Sequence, residues 1–580
     1  MQLSRLPTFE RAQLIGGIIL VVVTGVLPDL AGNSYWSLNF QLVNIIIAAA
    51  VFQNLLMNDA GQISFGQGAI FGVGAYVAAM ASAFGGLPWA LVILIATVAA
   101  GASGLLFALP ALRVQGYYLG FVTLSAATVF PELLFVLDRY TNGINGVTVP
   151  SEVWKVPLLL GCTPLTLATI LVAALAMICH VVIRHSAFGR KIKIAAASPE
   201  AAQTLGIRPG LVRSIVFVIV CAGTGLAGAL YAPIIAFVTP AAFHLDFSIL
   251  LFLAVIVGGR GQIIGPLTGV YLLYLLPNVL LVELIDYRLL AYGVLALVVM
   301  LAMPDGIVGT LQRRFGRSGS LDSGKLNPGT FLVPACHDAA AEPVRPEISL
   351  RGATKVFAAV RAMDGVDLDI ERGTIVGLVG GNGSGKTTLL NAVTGFNSLS
   401  GGKVLVRGMD LRGVSPASIA RLGIGRTFQT PRIFETLTAW ENVLVGQECP
   451  LRPNRMSADA DLARFERELG DASTATIPHG QRRSMELFRV LLTGADVLLL
   501  DEPAAGLSAE ERKAFSALLL RLKEEGGKTI LFVEHDLDLV WNIADKIAVM
   551  DNGKLVACGP PQQLMADPAV KKLFVRSHHA

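Results

Sequence analysis

The chain has 580 residues, 53% of them apolar and only 15% charged, with a mean hydropathy of +0.62 and a formal charge of +4. This composition excludes a single ordinary soluble domain, and it excludes disorder, which requires few apolar residues. The nearly balanced charge offers no basic patch to attract nucleic acid. The six cysteines lie far apart, without the spacing of a disulfide framework or a zinc site.

The average conceals a division. Residues 1–310 carry 13 Lys/Arg and 11 Asp/Glu, about 8% charged, whereas residues 311–580 carry 33 and 31, about 24%. The expected organisation is a helical membrane domain over 1–310, a Gly/Ser/Pro/Arg-rich linker over 311–345 and a soluble domain over 346–580.

Apolar runs occupy residues 14–30, 39–57, 66–84, 87–109, 116–137, 164–183, 214–236, 247–258, 266–284 and 289–303. Crossing a hydrocarbon core of about 30 Å takes about 20 apolar residues, which most runs supply. The runs 247–258 and 289–303 fall short, reaching about 18 and 23 Å at ~1.5 Å per residue. Arg5 and Arg11 precede the first run, which reads as a retained anchor rather than a cleaved signal.

Arg184, Arg190, Lys191, Lys193, Arg208 and Arg213, against the single acid Glu200, place the segment 184–213 in the cytoplasm, and Arg313, Arg314 and Arg317 place the end of the last run there too. Both ends of 214–303 being inside demands an even number of crossings, so the two short runs either both cross or neither does. That gives ten spans or eight. Backward counting puts the N-terminus and Arg113 inside, and the loop with Asp138, Arg139, Glu152 and Lys155 outside.

The stretch Gly61–Gly74 is rich in glycine, with Gly68 and Gly72 at GxxxG spacing, and reads as a surface for close helix packing. Gln62, Ser64 and Gln67 within it need polar partners or an aqueous path. Glu132, Asp246, Glu283 and Asp286 lie near run ends and read as solvated boundary residues. In the cytoplasmic segment, Glu200, Ala201, Ala202 and the residues up to Gly206 read as a short helix that ends at the glycine.

In the soluble half, Ile375–Val379 reads as a buried strand. It leads into Gly380, Gly381, Asn382, Gly383, Ser384, Gly385, Lys386, Thr387 and Thr388, followed by a helix beginning near Leu389. This is the full G-x-x-x-x-G-K-[ST] phosphate loop in its strand–loop–helix setting. Backbone amides converge on phosphates there, Lys386 reaches the β and γ groups, and Thr387 is a Mg²⁺ ligand. A second strand, 497–500, delivers Asp501, suited to the Mg²⁺ shell, and Glu502, suited to polarise an attacking water.

These residues resemble the ATP-binding cassette (ABC) family. Gln429 in RTFQTPRIF is similar to its glutamine loop, which implies a role at the γ-phosphate and Mg²⁺. Pro478, His479, Gly480 and Gln481 in IPHGQ resemble its signature sequence, and His535 in LFVEHD its switch histidine. Phe357, 23 residues before Gly380, stands where the family places an aromatic ring on adenine. Two positions depart from the pattern. Pro478 replaces a serine that would offer its hydroxyl to a partner subunit's nucleotide, and Ser508 stands where the family commonly has aspartate. The resemblance therefore implies one composite site built on this chain's own loop and a weakened opposite site.

In the membrane half, NDAGQISFGQGAIFGVGAY, LRVQGYYLGFVTL, TNGINGV, EAAQTLGI and GGRGQIIGPLTG resemble the permease of branched-chain (hydrophobic) amino acid importers. The chain is thus expected to be a multi-span α-helical membrane domain followed by an α/β P-loop ABC ATPase domain. As a fused permease and ATPase it would use ATP and Mg²⁺ in the cytoplasmic (inner) membrane, with its ATPase in the cytoplasm. The resemblance implies a second permease, a second ATP-binding subunit, an external substrate-binding protein and membrane lipid as partners, with Glu200–Gly206 as the coupling helix near Gln429. Alternatives are an ABC exporter half-transporter, a non-transporting regulatory ATPase, or an importer of urea, amides or aromatic acids.

Overall fold

A computed structural model describes residues 8–113, 117–158, 161–280, 287–315, 346–451, 474, 477 and 479–566. Each of the ten apolar runs is helical throughout its described length, apart from residues at the run ends. Among the described residues, eight helices are long and apolar enough to cross a membrane: Phe9–Leu30, Ser34–Asp59, Trp89–Leu106, Tyr118–Val136, Pro164–His185, Pro209–Ile235, Pro240–Gly258 and Leu290–Arg314. The runs expected to be short are therefore among the long helices. Run 247–258 is preceded by the 3₁₀ turn Pro240–Phe243, and run 289–303 is followed by a helix through Gly306–Phe315. The short apolar helices are instead Gln67–Ala83 and Gly265–Pro277. Apolar runs misjudged these lengths because helix ends are set by polar caps and prolines as well as by hydropathy. Residues 311–315, expected to begin the linker, close the Gly306–Phe315 helix.

The chain folds as two compact units. One holds the residues before Ala197 and those from Pro209 through this helix, while the other joins Ala197–Arg208 to the C-terminal sheets. A division at residue 310 alone does not capture this, because the short segment 197–208 belongs with the ATPase fold.

In the first unit, Pro209–Ile235 packs against Trp89–Arg113 and Gln67–Ala83. A Cβ at Gly74 would stand 2.2 Å from the Gly225 carbonyl oxygen, so the glycine is what lets those two backbones touch. Beside it, the Thr224 hydroxyl donates to Gln67 Oε1 at 2.9 Å and the Gly68 N–H to Ser248 Oγ at 3.1 Å, whereas the Gln62 side-chain amide and Gln67 Nε2 are buried without a hydrogen-bond partner. The GGRGQ turn is clamped by two helices. Gln13 Oε1 accepts the Ile263 N–H at 3.1 Å, and Asn54 Oδ1 accepts the Gly261 N–H at 3.0 Å. Strands β1 (Val147–Thr148) and β2 (Phe237–Val238) pair antiparallel, joining two interhelical loops.

The second unit has two sheets. Strands β3 (Pro346–Phe357), β4 (Val360–Glu371), β6 (Gly401–Val406) and β7 (Met409–Asp410) form an antiparallel sheet in the order β4-β3-β6-β7. The other contains β5 (Ile375–Val379), β8 (Ile424–Arg426), β9 (Val497–Asp501), β10 (Thr529–Val533), β11 (Lys546–Asp551) and β12 (Lys554–Gly559) in the order β12-β11-β5-β10-β9-β8, parallel except for the β12 edge. Strands β5, β9 and β10 are buried at every position, as continuous Val/Ile/Leu runs in a parallel sheet require. The helix after β5 starts at Lys386, three residues ahead of the apolar Leu389, because its first turn is the polar Lys-Thr-Thr of the phosphate loop.

Candidate active site

Four adjacent parallel strands end on the same edge, where α/β sheets bind their ligands. Strand β5 delivers the phosphate loop, β10 delivers Glu534 and His535, β9 delivers Asp501 and Glu502, and β8 leads to Gln429. The loop has the shape of an anion cradle. Gly380 has φ 155°, and a Cβ there would lie 2.2 Å from the Met550 carbonyl oxygen, while Gly385 at φ 102° leaves no room for one beside Ala362. Ser384 Oγ is buried with no hydrogen-bond partner, and Lys386 Nζ folds across the loop to donate to Gly380 O at 2.8 Å and Gly381 O at 2.9 Å. An unfilled hydroxyl and a lysine spanning loop carbonyls are what a nucleotide's phosphates would engage. Gly381, Asn382 and Gly383 are exposed, and Thr387 is exposed beside the half-buried Thr388.

Burial lowers the Lys386 proton affinity, opposed by Glu502 and Asp501. Asp501 is 3% exposed. Its carboxyl is pushed above the usual range by burial, against the pull of Arg426, whose guanidinium lies 3.9 Å away. The oxygens of Thr387, Asp501 and Gln429 suit a hard cation that keeps phosphate and water in its shell, so they fit Mg²⁺.

Glu502 is the centre of convergence. Gln429 Nε2 donates to its Oε1 at 3.0 Å, and His535 Nε2 lies 3.1 Å from the same oxygen. The backbone of Glu502 is left-handed at φ 47°, an uncommon conformation for a residue with a Cβ, and its N–H donates to Val533 O at 2.9 Å. Glu534 is buried, and its carboxylate accepts the Ala504 N–H at 2.6 Å and the His535 N–H at 3.2 Å, which fixes the histidine's backbone. Phe357, at the end of β3, is 43% exposed, with Lys355 Nζ 4.9 Å from its ring centroid.

Residues 363–505 match the ABC transporter family model. Residues 14–304, half of the chain, match the family described as branched-chain amino acid transport system, permease component. The chain belongs to the branched-chain amino acid ABC transport family. BraF of Pseudomonas aeruginosa, a high-affinity branched-chain amino acid transport ATP-binding protein, is 36% identical over 250 residues, covering 40% of this chain and 98% of its own. LivG of Escherichia coli K12, described in the same words, is 34% identical over 40% of this chain and 98% of its own. A solved ATP-binding cassette of an ABC transporter aligns with 40% of this chain and 99% of its own at 29% identity and a TM-score of 0.36. This chain thus unites the permease and the ATPase of such a transporter in one polypeptide.

The segment expected to couple the two activities is folded into the ABC unit. Ser198 caps its helix Pro199–Thr204, and Ala201 and Ala202 are buried at 1% and 0% exposure. Glu200 pairs with Arg432, three residues beyond Gln429, at 3.2 Å. The Gly206 carbonyl accepts from Arg421 Nε at 3.0 Å and Nη2 at 2.7 Å. Ser508, a departure from the family's common aspartate, caps the Ala509–Glu524 helix in a reciprocal box with Glu511, so serine supplies the capping chemistry. Pro478 lies outside the described residues. His479 and Gly480 open the helix His479–Leu492, and Gln481 follows them, half-buried.

The motifs did not identify Arg426, Arg483, Glu486 or Arg489. Arg426 is 3% exposed, donates to Thr394 Oγ1 at 2.7 Å and lies 5.6 and 5.3 Å from the centroids of Phe396 and Phe428. The other three recur every third residue along one helix, and that spacing of charges amid apolar neighbours was a readable signal of a buried network.

Proposed function

We propose that the chain drives ATP-dependent import of branched-chain amino acids, or of related small polar or hydrophobic solutes, across the cytoplasmic membrane. It would work with a second permease, a second ATP-binding subunit and an external substrate-binding protein. The observation that carries this reading is the meeting of Gln429 and His535 on one oxygen of Glu502, in a chain whose segment Ala197–Arg208 is folded into the ATPase unit. Glu502 would take the proton of a water attacking the γ-phosphate, with His535 and Gln429 orienting its carboxylate. Lys386 and the loop amides would hold the β and γ phosphates, and Phe357 would stack on the base. Thr387, Asp501 and Gln429 would hold Mg²⁺, which supplies charge neutralisation at the phosphates when bound. Opening and closing of the paired ATPase domains would reach the membrane helices through Glu200 and Gly206.

The variant Glu502→Gln keeps size and hydrogen bonding but cannot accept the proton. Its turnover is expected to fall about a hundredfold or more, and uptake with it, while MANT-ATP still binds. Uptake at the normal rate in proteoliposomes would remove Glu502 from this role.

A further inference from the structure

Arg483 stands two residues beyond Gln481 and spans the reaction centre with its guanidinium. Its Nη1 donates to the Glu502 carbonyl oxygen and its Nη2 to the Gln429 carbonyl oxygen at 2.8 Å. The helix that bears Arg483 also grips the glutamine loop on both sides. Glu486 Oε2 accepts the Phe428 N–H at 3.3 Å, Glu486 Oε1 accepts the Arg432 N–H at 3.0 Å, and Arg489 Nη2 donates to Arg432 O at 2.6 Å. The loop 428–432 is therefore bonded to the His479–Leu492 helix, whereas Glu502 sits at the end of strand β9. A left-handed non-glycine residue persists only where its surroundings over-determine it. At Glu502 three backbone anchors do so: its N–H bond to Val533 on β10, and the bonds its carbonyl accepts from Arg483 and from the Ala505 N–H at 3.3 Å.

We propose that Arg483 is a positioning residue for ATP hydrolysis, setting the backbone of Glu502 according to where the signature-bearing helix stands. The proposal rests on the ABC reading above. In that reading, His479–Gln481 at the start of this helix face the nucleotide of the second ATP-binding subunit. Arg483 then carries the state of that site to this chain's own base. The planar fork is required, because a lysine offers a point charge that cannot hold two carbonyls in fixed geometry.

The test uses the full-length transporter complex in lipid nanodiscs, with Arg483→Lys and Arg483→Met. The ATPase kcat is expected to fall about tenfold or more in both variants, while MANT-ATP affinity stays within about twofold and the unfolding midpoint of Arg483→Lys is retained. A wild-type kcat in both variants overturns the proposal. So does a joint loss of kcat, affinity and midpoint in Arg483→Lys, which would mark a purely structural residue. Glu502→Gln run in parallel separates the two ideas: full turnover there sinks the ABC assignment of the base, whereas an inactive Glu502→Gln beside active Arg483 variants sinks the positioning role alone.

Discussion

A carboxylate removed from water must have its oxygens filled by donors. Glu486 is 2% exposed. Besides the amides of Phe428 and Arg432, it faces the Arg489 guanidinium at 3.6 Å, itself 2% exposed. Burial raises its proton affinity, and Arg489 with the two amides opposes that shift. Arg489 in turn lies 4.3 Å from the Phe434 ring centroid and 3.3 Å from Asn442 Oδ1. Replacing Glu486 by leucine would leave the buried Arg489 guanidinium without its counter-charge and two loop amides without acceptors. The expected cost is about 3–5 kcal/mol, because removing one partner of a buried pair strands the other. Glu486→Gln keeps one acceptor oxygen and should cost less. The measurement is the urea midpoint of the ATPase unit, and an unchanged midpoint in Glu486→Leu would show that the clamp is not structural.

The helix Pro199–Thr204 is too short to be stable alone, and its ends show what holds it. Ser198 accepts the Ala201 N–H at 3.3 Å, while at the other end the Ile207 N–H returns to Ala202 O and the Gly206 N–H to Gln203 O, a Schellman closure with Gly206 left-handed at φ 71°. A Cβ at Gly206 would stand 3.1 Å from Arg421 Cγ and 3.2 Å from Leu451 Cδ2. Gly206→Val adds both backbone strain and crowding, and is expected to loosen this segment without touching the phosphate loop. Solute moved per ATP hydrolysed in proteoliposomes should fall severalfold while MANT-ATP affinity holds, and an unchanged ratio would refute the coupling role. The sequence made this helix and its glycine stop visible, together with the phosphate loop, strands β5 and β9, Gln429, Glu502 and His535, because each has local chemistry. It could not reveal that Arg421, Arg432 and Arg483 turn to these elements, since those bonds join residues 54 to 232 positions apart or depend on a helix face. Span lengths were misread for a related reason: Pro240–Phe243 extends a helix without adding to its apolar run.

Membrane sidedness follows from parity across the whole chain. Segment 197–208 belongs to the ATPase unit, and the chain returns to that unit after Phe315, so the helices between must cross an even number of times. Among the described residues three long apolar helices lie there, Pro209–Ile235, Pro240–Gly258 and Leu290–Arg314, an odd number. We therefore propose that the short stretch Gly265–Leu280 crosses as well, although it reaches only about 24 Å at ~1.5 Å per residue. Its Leu267, Val270 and Leu273 are buried at 1%, 0% and 0% exposure, so protein rather than lipid surrounds that face and the mismatch with the bilayer is tolerable. On the N-terminal side, Arg5 and Arg11 placed inside would call for an even number of crossings before segment 197–208; the proposed six would include Gln67–Ala83 and bring the total to ten. The ends of Gly265–Leu280 provide the test, in a background with Cys558→Ser. Tyr287→Cys, at a residue 62% exposed, should react with a membrane-impermeant maleimide on intact cells, whereas Arg260→Cys, at an exposed position, should react only after permeabilisation. The native Cys558, exposed on the ATPase unit, should behave like Arg260→Cys. If positions 260 and 287 label from the same side, the short helix does not cross and the ten-span arrangement fails.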